Sequence, residues 1–306
     1  MQYIKKQKRF LGIKQKDLLF GMILATPALI VLFITIFLPI LKGVYVSFCD
    51  YKLATLNSPK WNNFKNYAGL FEKGEIMTYF KNTFVFVFFT VTVQFLVGFS
   101  LALLLNSGIH GQRVFRGLFL VPWTVPSIVV ALLWRWMMHQ QFGVINYLLY
   151  QLNLIPTVNM SWTLQGELAM TSVVIATAWR QMPYMMVMVL AALQSVDHTQ
   201  VEASMIDGAN AWQSLRFIKF PAIRPVILSS IWIAVMTNFQ MYTIIANMTG
   251  GGPVKATTTL SLAAYKSAFQ SYNFGEGAAI GVLWMLLLGM VTFISNRLSD
   301  KYTIVE

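Results

Sequence analysis

Six stretches of this chain are long and apolar enough to cross a membrane, and that limits the fold more than any other feature. A segment crossing the ~30 Å hydrocarbon core has no water for its N–H and C=O groups, and about 20 residues of helix satisfy them internally. Such stretches lie at 18–41 and at about 82–105, 115–138, 168–193, 222–247 and 277–296. The fold class that follows is all-α integral membrane with six transmembrane helices. Of 306 residues, 57% are apolar and 11% charged, against about half and a quarter in a soluble domain. The net charge of +12 would suggest nucleic acid in a soluble protein. Here the basic residues flank apolar spans, so the bilayer is the expected partner and nucleic acid is not.

The basic tail, residues 1–17, carries Lys5, Lys6, Lys8, Arg9, Lys14 and Lys16. The apolar run behind it competes with a signal peptide. A signal core needs only about 7–15 residues and a small-x-small cleavage site. This run is longer and lacks a clean site, so it reads as an uncleaved first helix over 18–48, with Pro27 and Pro39 kinking it or marking its ends. Residues 49–81 read as an exposed loop with room for a short helix. Residues 106–116 form a short basic loop with Arg113 and Arg116. An outer loop at 139–167 has no Lys or Arg. The glycines of TGGGP, 249–253, read as a tight turn at the membrane surface.

With six spans both termini share a side. If they are cytoplasmic, thirteen Lys and Arg fall inside and seven outside, which is the expected bias. Five lysines in the first outer loop run against it.

All eleven acids lie in loops, tails or span edges. A proton- or sodium-coupled transporter usually needs an intramembrane carboxylate, so a secondary transporter is the weaker reading. An integral-membrane enzyme of unknown reaction is the other alternative. Neither HExxH nor GxSxG occurs, and His110, His139 and His198 are scattered in loops. The one cysteine, Cys49, excludes an intrachain disulfide, and no metal-ligand spacing is present. The phosphate loop G-x4-G-K-[ST] is missing, so an energy source outside this chain is needed.

Between the fourth and fifth spans lies a polar stretch, 197–221, DHTQVEASMIDGANAWQSLRFIKFP. It reads as two short helices joined at Gly208. Asp197 caps the first, with Gln200 reaching back, and Val201, Met205 and Ile206 form its apolar stripe. Asn210 and Gln213 repeat the capping signal. Trp212, Leu215 and Ile218 face inward on the second helix, and Pro221 ends it.

Glu202-Ala203-Ser204, Gly208, Ile218 and Pro221 resemble the EAA loop, E-A-A-x3-G-x9-I-x-L-P, of ABC importer permeases. Ser204 stands for the second alanine and Phe220 for the leucine. VPWTVPS in the third span, WRQMPYMM in the fourth and TGGGP after the fifth resemble the sugar-type, maltose-permease-like branch. The resemblance covers roughly 80–300 and implies a type I importer with a MetI-like transmembrane core there. It implies a homologous second permease, an ABC ATPase dimer holding ATP and Mg, and an extracytoplasmic solute-binding protein. No cofactor is implied on this chain, and the location implied is a bacterial cell membrane. Glu202, Ala203, Ser204, Asp207, Gly208, Ile218 and Pro221 are then the residues coupling it to the ATPase. The implied cargo is a carbohydrate-like small molecule, such as an oligosaccharide, with an acidic or phosphorylated one left open.

Polar and aromatic side chains at membrane depth face a cavity or a partner. These are Trp123 and Ser127, four apart on one expected helix face; Thr177, Arg180 and Gln181 on another; and Thr237, Asn238, Gln240 and Tyr242 in the fifth span. Trp123, Ser127, Thr177, Arg180 and Gln181 fall where the maltose-permease relatives line a sugar site, and Asn238 and Gln240 complete the expected pathway. Each has an alternative role in helix–helix hydrogen bonding. Arg180 costs at least about 2.5–3.5 kcal/mol near the bilayer centre. A carbonyl freed by Pro183, an anion or a neutral hydroxyl could each offset that.

Overall fold

A computed structural model describes the backbone of residues 2–55 and 59–303, and the side chains of 17–54, 59–295 and 297. The basic side chains of the first 16 residues therefore lie outside the described set. Helix α1, Gln2–Leu32, begins inside the basic tail, passes through a π turn at Phe33–Phe37, and continues as α2, Leu38–Ser47. Pro27 lies inside α1, and Pro39 follows directly on the π turn, where the regular i to i−4 ladder is already interrupted. Helix α2 packs on the bundle against α14 (Phe274–Thr303), while Asp17–Ile36 stands exposed.

The expected loop at 49–81 is largely structured. Strands β1, Cys49–Asp50, and β2, Lys60–Trp61, pair antiparallel, and α3, Lys65–Glu72, follows. Asn66 ties them to α2 by donating from Nδ2 to the carbonyls of Ser47 and Cys49, both at 2.8 Å. The second span, α4, starts at Glu75 and reaches Asn106. It begins two turns before the hydropathy edge because Glu75, Tyr79 and Asn82 have partners at that end. Tyr79 donates to Glu75, Lys255 pairs with Glu75, and Asn82 donates to the carbonyls of Lys255 and Thr258. The TGGGP turn is thereby clamped to the top of α4.

The third span is broken. Helix α5, Gln112–Thr124, and α6, Ser127–Met137, meet at 97°. Val125 between them is extended, as the residue before a proline tends to be. A short α7, Val144–Gln151, lies in the next connection. The fourth span, α8, Gly166–Gln194, agrees with expectation, and Pro183 stays inside it. It packs along α4 as the central pair of the bundle.

Helix α9, His198–Ile206, and α10, Ala211–Ser214, form the elbow. Pro221 does not end the second elbow helix: a π turn at Leu215–Lys219 carries α10 directly into α11, Phe220–Phe239. The proline falls directly after the π turn, where the regular i to i−4 ladder is already interrupted. The fifth span is also broken, since α11 stops at Phe239 and α12, Thr243–Met248, resumes after it. Helix α13, Leu260–Tyr265, leads through a π turn to α14. Among the described residues, five helices are long and apolar enough to span, and the bent α5–α6 pair makes a sixth.

Candidate solute cavity and coupling elbow

Midway along the bundle, α5, α8 and α11 enclose a cavity of about 160 Å³ lined by Trp123, Arg180, Gln181, Tyr184, Ile233, Ala234 and Thr237. Three of the expected pathway residues, Trp123, Arg180 and Gln181, meet there. Trp123 is half exposed and its ring lies 6.3 Å from that of Tyr184. Arg180 donates from Nε to the carbonyl of Val125, 3.2 Å away. The backbone group that receives it is thus the one freed by the α5–α6 break, not one freed by Pro183.

The other four expected residues fall elsewhere. Trp123 and Ser127 do not share a helix face, because the chain breaks between them. Thr177 is fully buried and donates to its own helix at Val173 O, 2.7 Å. Asn238 is buried in a helix–helix contact. Its amide exchanges two hydrogen bonds with Gln181, at 3.2 and 3.3 Å. Gln240, past the end of α11, is exposed in a separate groove with Tyr242, Tyr265 and Trp284.

Two residues were missed. Tyr184 lies four positions after Arg180 and three after Gln181, so helical spacing alone placed it on the same face. Gln94 is fully buried within 3.4 Å of Asn238 Nδ2. As a lone amide in an apolar span it met the criterion applied to the other polar residues.

The elbow is shaped by local chemistry. Asp197 accepts from the Thr199 N–H at 2.9 Å and hydroxyl at 2.8 Å. The cap is therefore a turn to Thr199, not the box to Gln200. The Thr199 hydroxyl first, and its N–H second, hold the Asp197 carboxyl below its ordinary range. Gly208 takes a φ of +85°. Gly208 N–H donates to Met205 O at 3.1 Å and Ala209 N–H to Ser204 O at 2.9 Å, the two bonds of a glycine-terminated helix end. Asn210 and Gln213 form the complete capping box, with bonds of 2.8 and 2.9 Å.

Burial corrects the expected stripes. The inward seam of α9 is Val201 and Ser204, the latter donating to Val201 O at 2.7 Å. Met205 and Ile206 point outward, Ile206 being 87% exposed. Trp212 is exposed too, while Leu215 and Ile218 are half-buried. Of the expected coupling residues, Glu202, Ala203, Asp207, Gly208 and Pro221 are exposed, Ile218 is half-buried, and Ser204 packs inward. The elbow therefore shows an apolar knob of Met205, Ile206 and Trp212 beside Glu202 and Asp207.

Six spans, two of them broken, and a capped elbow between the fourth and fifth define a multi-pass membrane permease subunit. Residues 94–304 match the model of the binding-protein-dependent transport system inner membrane component, and the chain belongs to that family. It is 30% identical over 288 residues to the trehalose/maltose transport system permease protein MalF of Thermococcus litoralis, covering 92% of this chain and 94% of that one. It is 29% identical to the sulfoquinovosyl glycerol transport system permease protein SmoG of Agrobacterium fabrum, covering 92% and 91%. It is 31% identical over 258 residues to the sn-glycerol-3-phosphate transport system permease protein UgpA of Yersinia pestis, covering 82% and 85%. In fold it resembles a chain of a bacterial ABC transporter involved in the import of alginate, with a TM-score of 0.79, 21% identity, and 96% and 99% coverage.

Proposed function

We propose that this permease carries a carbohydrate-like solute across a bacterial cell membrane, in an importer driven by ATP on separate chains. The observation that carries the reading is the cavity itself. An indole face, a guanidinium, an amide, a phenol ring and a hydroxyl converge on it, a set suited to stacking on and hydrogen-bonding a polyhydroxylated molecule. The partners are a homologous second permease completing the pathway, an ABC ATPase dimer, and an extracytoplasmic solute-binding protein. Glu202, Ala203, Ser204, Asp207, Gly208, Ile218 and Pro221 form the coupling set. In it Ser204 and Ile218 anchor the elbow, and the exposed members, with Met205, Ile206 and Trp212, meet the ATPase. Both termini and the elbow face the cytoplasm. The lysine and arginine bias supports that orientation.

An acidic solute is favoured over a neutral one by one feature. Arg180 uses Nε on Val125, and its terminal nitrogens make no bond with the described residues, leaving them for a carboxylate, sulfonate or phosphate. The names of two relatives above include a phosphate ester and a sulfonated sugar glycoside, which agrees with this.

The test is reconstitution with the partner permease, ATPase and binding protein in vesicles, assayed with trehalose, maltotriose and sn-glycerol 3-phosphate. ATP-dependent uptake of one probe that is lost in Gly208→Trp, with the complex still assembled, is the expected result. Uptake without ATP, or unchanged coupling in Gly208→Trp, would overturn the reading.

A further inference from the structure

Beyond the cavity wall, the Gln181–Asn238–Gln94 cluster has more acceptors than hydrogens in one place and an unused donor in another. All three amides are at least 95% buried. The Asn238 Nδ2 group has two hydrogens. It lies within hydrogen-bond distance of three acceptors: Ala234 O at 2.9 Å, Gln181 Oε1 at 3.2 Å and Gln94 Oε1 at 3.4 Å. The 3.4 Å contact is the weakest. Meanwhile Gln94 Nε2 is buried with no partner, as is the Thr90 hydroxyl one turn before it on α4. An unmade bond on a buried donor is unfavourable, so the unused Gln94 Nε2 gains by meeting an acceptor.

We infer that Gln94 is a positioning residue for solute passage: it takes over Asn238 when Gln181 turns to the solute. Gln181 lines the cavity, but in this state both ends of its amide are engaged by Asn238. To meet a solute hydroxyl, Gln181 must open one or both of those bonds. Asn238 then needs a replacement, and one stands ready. Gln94 Oε1 can draw in the released Nδ2 hydrogen, while the unused Gln94 Nε2 can donate to the released Asn238 Oδ1. The Gln181–Asn238 amide pair, joining α8 to α11, is exchanged for an Asn238–Gln94 pair joining α11 to α4. The Gln94 Nε2 donor, unpaired in this state, gains an acceptor in the exchanged one. Solute engagement on α8 is thereby linked to tighter α11–α4 contact.

The mechanism rests on the cavity assigned above, but its decisive test needs no solute. Gln94→Met and Gln181→Met keep side-chain length and remove the amide. They are made singly and together in the full-length permease, and thermal unfolding midpoints are compared. Gln94→Met alone leaves the midpoint level or raises it, since it deletes the unused donor. Gln181→Met alone lowers it little, because Gln94 takes over Asn238. The double variant falls by about 3 °C or more beyond the sum of the two, or fails to fold while both singles do. Two amides that do not stand in for one another at Asn238 give additive losses. Additivity, or a fall of more than about 3 °C in Gln94→Met alone, overturns the proposal. Uptake of labelled sn-glycerol 3-phosphate by the reconstituted complex separates the two readings. On the exchange mechanism Gln94→Met lowers the maximal uptake rate although its unfolding midpoint is level or raised; an unchanged rate overturns the positioning role. Failure of the wild type to transport this probe counts against the acidic-solute reading, while the thermal cycle still decides the amide exchange.

Discussion

Gly98→Ala is the most exacting test of how the two central spans fit together. A Cβ added at Gly98 on α4 would lie 2.7 Å from Met185 Cβ, 2.9 Å from Met182 O and 3.0 Å from Met186 N on α8. Carbon atoms settle at about 3.5–4.0 Å, so α4 and α8 must part by about 1 Å. Two of the three obstructing atoms belong to backbone and cannot swing away. Overpacking costs about 1–3 kcal/mol, and the rigid neighbours put this site near the top of that range. Alanine returns up to about 1 kcal/mol through its better helix propensity. The net loss of about 2 kcal/mol lowers the unfolding midpoint by about 3 °C for a chain of this size. Gly69→Ala is the control. Gly69 lies inside α3 with no atom within 4 Å of an added Cβ, so only the propensity gain operates and the midpoint rises by about 1–2 °C. Both are read by scanning fluorimetry of the purified full-length chain. A Gly98→Ala midpoint at or above wild type would refute the close-packing argument. Gln94 lies one turn from Gly98 on α4, so the parted helices also loosen the amide cluster, and solute uptake falls with stability.

Arg180→Ala abolishes uptake with normal yield of the assembled complex, and Arg180→Lys retains part of it. Low yield with proportionate uptake would assign Arg180 only to bracing the break at Val125. Asn210→Ala removes one half of the elbow's capping box and costs about 1 kcal/mol, read as faster amide exchange in α10 with α8 unchanged. The Asp197 cap carries a sign for pH. Its carboxyl is held below the ordinary value, so the cap contributes fully above about pH 4 and fades as the pH falls through the folded value. The difference in α9 exchange between wild type and Asp197→Ala is therefore constant from pH 7 to about 5 and shrinks below about 4. Reporter fusions after Asn210 and Asn153 read cytoplasmic and external, respectively, and a reversed pair would refute the orientation.

Length and hydropathy determined the number of spans, because hydrocarbon imposes its demand on each segment separately. The Asn210–Gln213 box and the Gly208 stop were equally legible, since a cap is settled within about four residues of chain. Arg180, Gln181 and Trp123 stood out in the sequence as polar or aromatic side chains at membrane depth, and all three line one cavity. Their partners were not readable. Arg180 meets Val125, which is 55 residues away, and Asn238 meets Gln94, which is 144 away; no local pattern encodes such pairs. The third span carries Pro122 and Pro126, but its hydropathy reads as one straight helix, whereas the chain turns through 97° there and separates Trp123 from Ser127. The outward turn of Met205 and Ile206 was likewise decided by packing. On a two-turn helix either side can face the bundle, and the closer fit of Val201 and Ser204 against their neighbours selects which one does. Local signals fix where helices start and stop in a chain like this. Which face each one presents, and which polar group answers which across the bundle, is set when the spans come together.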